Sequence, residues 1–339
     1  MRENSKSENL LLPFLLSPCP KECVWGGERL YELYGKSFGI SRLGETWECS
    51  AHPSGESIAA SGIFKGMKLG EILRENPCLL GGRKELPVLI KLIDARERLS
   101  VQVHPGDEYA RLHEGQSGKT EMWYILDALP GSELILGFDK RLDRAEAMEA
   151  ARSGGIEHYL RHVGVKRGDA YLIEPGTVHA IGAGVLLAEI QQSSDVTYRL
   201  WDYGRYGTDG RPRELHLDRA LDVAILDDRE IPPLATRTVD DSCNEICVTP
   251  YFRTCRIEVR GEYCLIGDKH HACTLLSVDG GGEIVASTEQ IHDNCCAEPT
   301  GGNIESYQLA FGKGDCVFIP AGAGELKLRG NTCGLLVSF

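Results

Sequence analysis

The chain has 339 residues, of which 42% are hydrophobic and 26% charged, so it has an ordinary globular composition and enough length for two domains. Its formal net charge is −13, and the acidic residues are spread along the chain without a basic run. This charge argues against nucleic acid or an anionic membrane as the main partner, whereas an anionic small substrate would need a local cluster of lysines and arginines.

An apolar run stands near the N-terminus at residues 10–16. It is too short to span a bilayer, and the segment before it has mixed charge instead of the basic character of a signal peptide. We therefore predict a strand that packs on the core of a cytoplasmic protein.

Short strands and turns are predicted over residues 10–90, with a short helix at 68–74. A strand follows at 87–93 and carries Lys91 among apolar neighbours. A buried lysine requires a partner for its charge. The alternative is a lysine at the edge of a sheet whose ammonium group extends to solvent.

Two further strands are predicted at residues 99–105 and 119–124, since both are rich in β-branched, aromatic and aliphatic residues. Because side chains alternate along a strand, Ser100, Gln102 and His104 share one face of the first strand. Lys119 and Glu121 share one face of the second. If these strands pair or lie in one barrel, an amide, an imidazole and a carboxylate converge.

A third segment, residues 168–179, ends in His179 just after a Pro-Gly turn. Together with Gln102, His104 and Glu121 it completes a set of nitrogen and oxygen ligands suited to a divalent metal, with zinc the first choice. The alternative is that each histidine is a hydrogen-bonded structural or surface residue.

Helical additions to this β-rich chain are predicted at residues 139–163 and 214–226. In the first, Asp139 can cap the N-terminus and Gly154-Gly155 ends the helix. Between the two lies a polar segment, residues 187–203. Its charges fit a solvated strand face by default, but Glu189 stands between Ala188 and Ile190 and is a candidate buried carboxylate.

A linker is predicted around Pro232-Pro233 and Asp240-Asp241, which divides the chain into domains at 1–240 and 241–339. Residues 314–325 repeat the pattern of residues 168–179: a Gly-Asp turn, an apolar strand and a Pro/Gly turn. The first copy ends in His179 and the second in Glu325. We interpret these as two copies of one β unit, of which only the first keeps its imidazole.

Thirteen cysteines occur, nine of them between Cys243 and Cys333. None has zinc-finger spacing, and the nearest patterns are Cys19-x3-Cys23, Cys243-x3-Cys247 and the adjacent pair Cys295-Cys296. Reduced, semi-buried thiols are the expected state.

Taken together, these segments resemble type I mannose-6-phosphate isomerases in their short bacterial form. The resemblance is strongest in residues 99–105, 119–124, 175–182 and 189–201, with further matches at Trp25-Gly-Gly27 and Gly44-Glu-Thr-Trp47. It implies a mainly β fold of two cupin (jelly-roll) barrels with a small helical insertion, in which only the first barrel holds metal.

The resemblance also implies one zinc ion per chain, held by Gln102, His104, Glu121 and His179. The implied activity interconverts mannose 6-phosphate and fructose 6-phosphate through a cis-enediol. The resemblance implies that Arg199 is the cation beside the reacting carbons, and that Glu189 and Asp195 handle protons or orient the sugar. Ser100 and Lys119 are the implied phosphate contacts, and Lys119 is also an implied catalytic residue. Lys91 is the implied second cation of the pocket.

Three other functions stay open from the sequence. A cupin isomerase could act on another sugar phosphate, such as glucose 6-phosphate, because fold alone does not fix the substrate. A non-catalytic sugar-phosphate sensor could keep the fold, and an iron-dependent oxygenase could use the same ligand types. The sequence does not decide between a monomer and a homodimer.

Overall fold

A computed structural model describes residues 11–207, 210–286 and 307–339. Within these residues the chain forms 22 strands and five α-helices, which confirms the predicted mainly β class. The first eleven strands are β1 Phe14–Ser17, β2 Cys19–Gly27, β3 Leu43–Cys49, β4 Ala51–His52, β5 Gly55–Glu56, β6 Ile58–Ala59, β7 Val88–Ala95, β8 Val101–Val103, β9 Glu121–Ala128, β10 Glu133–Phe138 and β11 Leu160–Gly164.

The other strands are β12 Ala170–Ile173, β13 His179–Ile181, β14 Val185–Gln192, β15 Tyr198–Trp201, β16 Arg237–Thr238, β17 Cys243–Val248, β18 Arg253–Ile266, β19 Cys273–Ala286, β20 Tyr307–Phe311, β21 Cys316–Ile319 and β22 Glu325–Ser338. The helices are α1 Arg29–Tyr34, α2 Leu69–Glu75, α3 Asp107–Glu114, α4 Arg144–Ser153 and α5 Leu217–Val223, with 3₁₀ turns at Pro77–Leu80 and Gly155–Tyr159.

The chain divides into two compact units, and each is discontinuous in sequence. The first unit comprises residues 20–46 and 90–234, and the second comprises the described parts of residues 1–19, 47–89 and 235–339. This differs from the predicted continuous domains 1–240 and 241–339. The reason is strand pairing: β1 pairs with β21 on one side and β6 on the other, so early residues complete the sheet of the C-terminal strands.

Two sheets build the first unit. One has five strands in the order β11-β10-β13-β8-β15, and the other has six in the order β12-β9-β14-β7-β2-β3. A cluster of buried aromatic and aliphatic side chains from both sheets, including Trp123, Leu136 and Leu187, forms one part of the core. β7 and β14 are buried along their whole length, so the side chains on both of their faces, Lys91 and Glu189 included, lie in the interior.

Helices α4 and α5 pack on the outer face of the five-stranded sheet. Val101 and Val103 of β8 join Ala147 and Ala151 of α4 and Leu221 of α5 in a second buried cluster. Because strand side chains alternate, this packing turns the side chain of the intervening Gln102 to the opposite face.

The predicted helical segments contain α4 and α5, but the N-terminal cap of the first differs. α4 begins after Asp143, whose carboxylate accepts from the Glu146 backbone N–H at 2.8 Å, while the Glu146 side chain accepts from the Asp143 N–H at 2.9 Å. Asp139 is therefore not the cap, because this reciprocal capping box satisfies the first turn. Gly154, with φ of 80°, ends the helix as predicted.

The second unit has a nine-stranded sheet in the order β16-β17-β18-β22-β19-β21-β1-β6, with β20 paired to β19. Its strand β21 and the start of β22 repeat β12 and β13 of the first unit position for position. Gly168 and Gly314 have φ of 93° and 87°, and Gly176 and Gly322 have 86° and 76°. Two copies of the same turn chemistry therefore precede His179 and Glu325.

Near the N-terminus, the predicted strand is present as β1, with Phe14 and Leu16 buried. None of the helices in the described ranges combines the length and the apolar run needed to cross a bilayer. The eleven cysteines in those ranges are free thiols. Cys295 and Cys296 lie outside the described residues.

Candidate metal centre

The four predicted ligands come from two sheets of the first unit. Gln102 lies in β8, and His179 begins the neighbouring strand β13 directly opposite it. His104 follows β8 by one residue, and Glu121 begins β9 in the six-stranded sheet. The strands at 99–105 and 119–124 therefore do not pair with each other; their side chains meet between the two sheets.

The ligand atoms lie within a few ångströms of one another. Glu121 Oε2 is 3.6 Å from His104 Nε2, and Glu121 Oε1 is 3.5 Å from His179 Nε2. The Gln102 amide nitrogen is 3.4 Å from the same His179 nitrogen. His104, Glu121 and His179 are all buried, and one ligand atom from each falls within 4.8 Å of the other two.

Backbone carbonyls fix the orientation of both imidazoles. His104 Nδ1 lies 2.8 Å from the Val196 carbonyl oxygen, and His179 Nδ1 lies 2.8 Å from that of Thr177. Since a carbonyl only accepts, each Nδ1 carries the proton and each Nε2 presents a lone pair to the centre. This is the arrangement in which histidine binds a metal, with the second nitrogen held by an outer partner.

The electrostatics of these groups also fit a cation. Burial lowers the pKa of His179 to about 4, and burial with the nearby Lys119 ammonium holds the pKa of His104 well below its usual range. Burial and the neighbouring Glu189 carboxylate raise the pKa of Glu121. Apart from its ion pair with Lys119, neither buried oxygen of Glu121 accepts a hydrogen bond from the described residues. A bound divalent cation would satisfy both oxygens.

Gln102 needs one adjustment to join this set. Its Oε1 accepts from Ser100 Oγ at 3.4 Å, and its amide nitrogen points towards His179. An amide ligates through oxygen, so the group would have to turn over by about 180°. Such a rotation exchanges two atoms of nearly equal size and does not move the strand.

Lys119 lies beside the ligands and is almost fully buried. Its ammonium nitrogen is 3.1 Å from Glu121 Oε2 and 3.1 Å from His104 Nε2. The predicted face shared by Lys119 and Glu121 thus brings both side chains to the same place. A cation here can act on a substrate atom that approaches the metal ligands.

A second buried charge cluster adjoins the first. Lys91 Nζ lies 3.0 Å from Glu189 Oε1 and 3.5 Å from Glu45 Oε2, and Trp123 Nε1 donates to Glu189 Oε2 at 3.0 Å. The alternative of a solvent-reaching edge lysine is wrong, because β7 lies inside its sheet and Lys91 is only 5% exposed. Glu189 is the buried carboxylate that its apolar neighbours indicated.

The charges of this cluster stabilise each other. Burial would lower the pKa of Lys91, but Glu189 and Glu45 outweigh it and raise that pKa. Burial would likewise raise the pKa of Glu189, but the ammonium groups of Lys91 and Lys119 lower it. Both groups are therefore charged at neutral pH.

The structure separates the other predicted residues. Ser100 is buried next to Gln102, and Arg199 of β15 lies directly opposite Gln102 on β8, so it shares the face that carries the ligands. Asp195 differs: it is exposed in the loop after β14, where its backbone N–H donates to the Gln116 side chain at 3.5 Å. The polar segment thus delivers Glu189 and Arg199 to buried or half-buried positions and leaves Asp195 in solvent.

Sequence reasoning missed two partners of this site. Trp123 shares a face with Glu121 on β9, which period-2 alternation could have indicated. Glu45 belongs to the Gly44–Trp47 motif, but its pairing with Lys91 could not be inferred because the two strands are distant in sequence.

Comparison with known proteins shows a family relationship. The model of the type I phosphomannose isomerase catalytic domain matches residues 14–124. Mannose-6-phosphate isomerase ManA of Bacillus subtilis is 36% identical over 327 residues, which cover 94% of this chain and 96% of the relative. The chain belongs to the type I phosphomannose isomerase family. Like other members of this family, it is an enzyme.

Further relatives of this chain include proteins of solved structure. A mannose-6-phosphate isomerase of Streptococcus mutans is 42% identical over 63% of this chain and 67% of its own. The crystal structure of the Bacillus subtilis mannose 6-phosphate isomerase superposes with a TM-score of 0.85 and 32% identity, covering 96% of this chain and 99% of that chain. The predicted cupin fold is confirmed by this match. A zinc-bound mannose 6-phosphate isomerase, with a TM-score of 0.73 and 16% identity, shares the fold.

Proposed function

We propose that this chain is a zinc-dependent aldose–ketose isomerase that interconverts mannose 6-phosphate and fructose 6-phosphate through a cis-enediol. The observation that carries the proposal is the buried Glu121 carboxylate, which lies between the Nε2 atoms of His104 and His179 and whose only other partner among the described residues is the Lys119 ammonium. Membership of the family supports the substrate pair.

The residues that would hold one zinc ion per chain are Gln102, His104, Glu121 and His179. When bound, zinc would polarise the substrate carbonyl and stabilise negative charge on its oxygen. The chain's own contribution is to keep both imidazoles neutral and oriented, and to supply a buried carboxylate.

Isomerisation removes a proton from C2 of the aldose while the C1 carbonyl oxygen gains one, which gives the cis-enediol. A proton then goes to C1, and the C2 hydroxyl loses its proton to become the ketone; no oxidant is needed. Glu189 is the better placed of the two predicted carboxylates, since it is buried beside Lys91 and Lys119, whereas Asp195 is exposed. We assign Glu189 to proton handling or to orienting the sugar hydroxyls. To Asp195 we assign a contact with the sugar at the solvent side of the site.

Cationic groups would stabilise the charge that develops during the reaction. Lys119 lies 3.1 Å from two ligand atoms, which favours its role at the reacting carbons over its role at the phosphate. Arg199, opposite Gln102, is the second cation of the reacting centre. Ser100 and Lys91 are the proposed anchors for the remaining part of the sugar phosphate, whose binding energy orients the reacting end.

The test combines metal content and isomerase activity on one preparation, before and after chelation, for the wild type and for His104→Ala. We expect about one zinc per chain and conversion of mannose 6-phosphate that chelation abolishes and zinc restores. His104→Ala should lose both metal and activity. Active protein without metal would overturn the metal assignment.

The same assay separates the alternatives. Faster turnover of glucose 6-phosphate than of its C2 epimer would identify an isomerase of different specificity. Bound zinc and tight sugar-phosphate binding without turnover would identify a sensor. Bound iron together with oxygen uptake would identify an oxygenase. Light scattering of the same sample would decide between monomer and homodimer.

A further inference from the structure

The strand that carries Arg199 is an edge strand. Among the described strands, β15 pairs with β8 alone, so the polar backbone groups on its other side need partners from outside the sheet. His216 supplies both partners at Arg199. Its backbone N–H donates to the Arg199 carbonyl oxygen at 2.8 Å, and its Nδ1 accepts from the Arg199 backbone N–H at 3.1 Å.

The His216 side chain does not make the helix-capping hydrogen bond that is common at its position. His216 is the N-cap of α5, where a side chain commonly accepts a hydrogen bond from the first turn of its own helix. Here the side chain makes no capping bond, while the backbone carbonyl accepts from Ala220 N–H at 2.8 Å. The imidazole is turned to Arg199 instead, and since Nδ1 accepts, its proton is on Nε2.

Arg199 has a reason to need this support in its own side chain. Within the described residues, the buried Nε of its guanidinium has no hydrogen-bond partner. The backbone from which the side chain projects therefore contributes to its direction. His216 holds both polar groups of that backbone from one side, and Gln102 lies opposite on the other.

We infer that His216 is a positioning residue, which fixes the backbone of Arg199 and thereby directs its side chain to the sheet face that carries Gln102. The inference rests on the catalytic role proposed above for Arg199. Among the described residues, the polar contacts of His216 go to Arg199, Ala220 and Glu214 and not to the ligands, so we expect it to act through Arg199. A group that only positions another is replaceable by any side chain with an acceptor at the same place.

The first test compares His216→Leu with His216→Asn in the zinc-loaded enzyme. Leucine lacks an acceptor, whereas the Asn side-chain oxygen can take the place of Nδ1. We expect His216→Leu to lower kcat by about 10-fold to 100-fold with little change in KM, because a misplaced catalytic group impairs the transition state more than substrate binding. His216→Asn should stay within about 3-fold of the wild type, since its acceptor is retained. An equal loss in both variants would overturn the inference.

The second test is a double-mutant cycle with Arg199→Ala. If His216 acts through Arg199, then His216→Leu should lower kcat in the wild-type background and have almost no effect in the Arg199→Ala background. Equal effects in both backgrounds would overturn the inference and leave the proposed function intact. An Arg199→Ala enzyme with unchanged kcat would instead overturn the role of Arg199 itself.

Two controls keep the result interpretable. His158 is an exposed histidine in the 3₁₀ turn Gly155–Tyr159 of the same unit, so His158→Leu should leave kcat unchanged. If His216→Leu does not fold, His216→Gln replaces it in both tests. The Gln side-chain oxygen lies one bond further from the backbone than Nδ1, towards the position of Nε2, so it should not accept from the Arg199 N–H. Circular dichroism and zinc content establish that each variant is folded and loaded.

Discussion

Lys91 and Glu189 form a buried ion pair between the neighbouring strands β7 and β14, with 3.0 Å between Nζ and Oε1. Each has a second partner: Glu45 for the lysine and the Trp123 indole N–H for the carboxylate. Removing one member of a buried pair leaves the other charge uncompensated. A substitution at either residue should therefore lower the stability of the protein as well as change the charge of the proposed active site.

We therefore predict that Lys91→Met destabilises the protein by about 3–5 kcal/mol, measured by urea unfolding, because the Glu189 carboxylate is left in the interior without its main cation. The double variant Lys91→Met/Glu189→Gln should recover a large part of this loss, since the amide is neutral and can still accept from Trp123. A single variant as stable as the wild type would show that the pair is not buried as described.

Metal removal should lower stability as well as activity. A ligand that binds only the folded state adds about 2.7 kcal/mol when its concentration is 100 times its Kd. Zinc added to the chelated wild type should therefore raise the Tm, and the shift should disappear in His179→Ala. The matched control His158→Ala should keep it. A zinc-dependent shift of unchanged size in His179→Ala would place the metal elsewhere.

The turn before His179 should not tolerate a side chain at Gly176. This residue has φ of +86°, and a Cβ there would lie 2.8 Å from the Val223 carbonyl oxygen. Its N–H also donates to the His104 carbonyl at 2.8 Å, so the turn connects two predicted ligands. We predict that Gly176→Ala costs about 1–3 kcal/mol of unfolding free energy and weakens zinc binding.

Gly164 provides the control for this substitution. It lies at the end of β11, and a Cβ there meets no atom of the described residues within 4 Å. Gly164→Ala should change stability and zinc affinity little. Similar losses in the two variants would show that the conformation of Gly176 is not the cause.

The capping box of α4 gives a prediction independent of function. Asp143→Ala should cost about 1 kcal/mol of unfolding free energy, because it removes the acceptor of the Glu146 N–H. Asp139→Ala, four residues earlier, should cost much less, since that side chain is exposed and does not cap the helix. Chemical denaturation of both variants checks the difference, and a larger loss in Asp139→Ala would contradict it.

Local rules were enough for much of the site. Period-2 alternation put Gln102 and His104 on one strand face, and the Pro-Gly turn put His179 at the start of the next strand; both follow from backbone geometry over a few residues. The same reasoning failed for Asp139, because the sequence offers two aspartates, Asp139 and Asp143, as the N-cap of one helix. The reciprocal hydrogen bonds between Asp143 and Glu146 show that Asp143 is the cap.

The sequence by itself therefore determined the mainly β class, the candidate ligands and the repeated turn before His179 and Glu325. Only the tertiary structure decided that β8 and β9 belong to different sheets, that β1 completes the C-terminal sheet, and that Lys91 meets Glu45 and Glu189. The physical reason is that periodicity fixes the direction of a side chain within its own strand, whereas its partner is selected by packing between segments far apart in the chain.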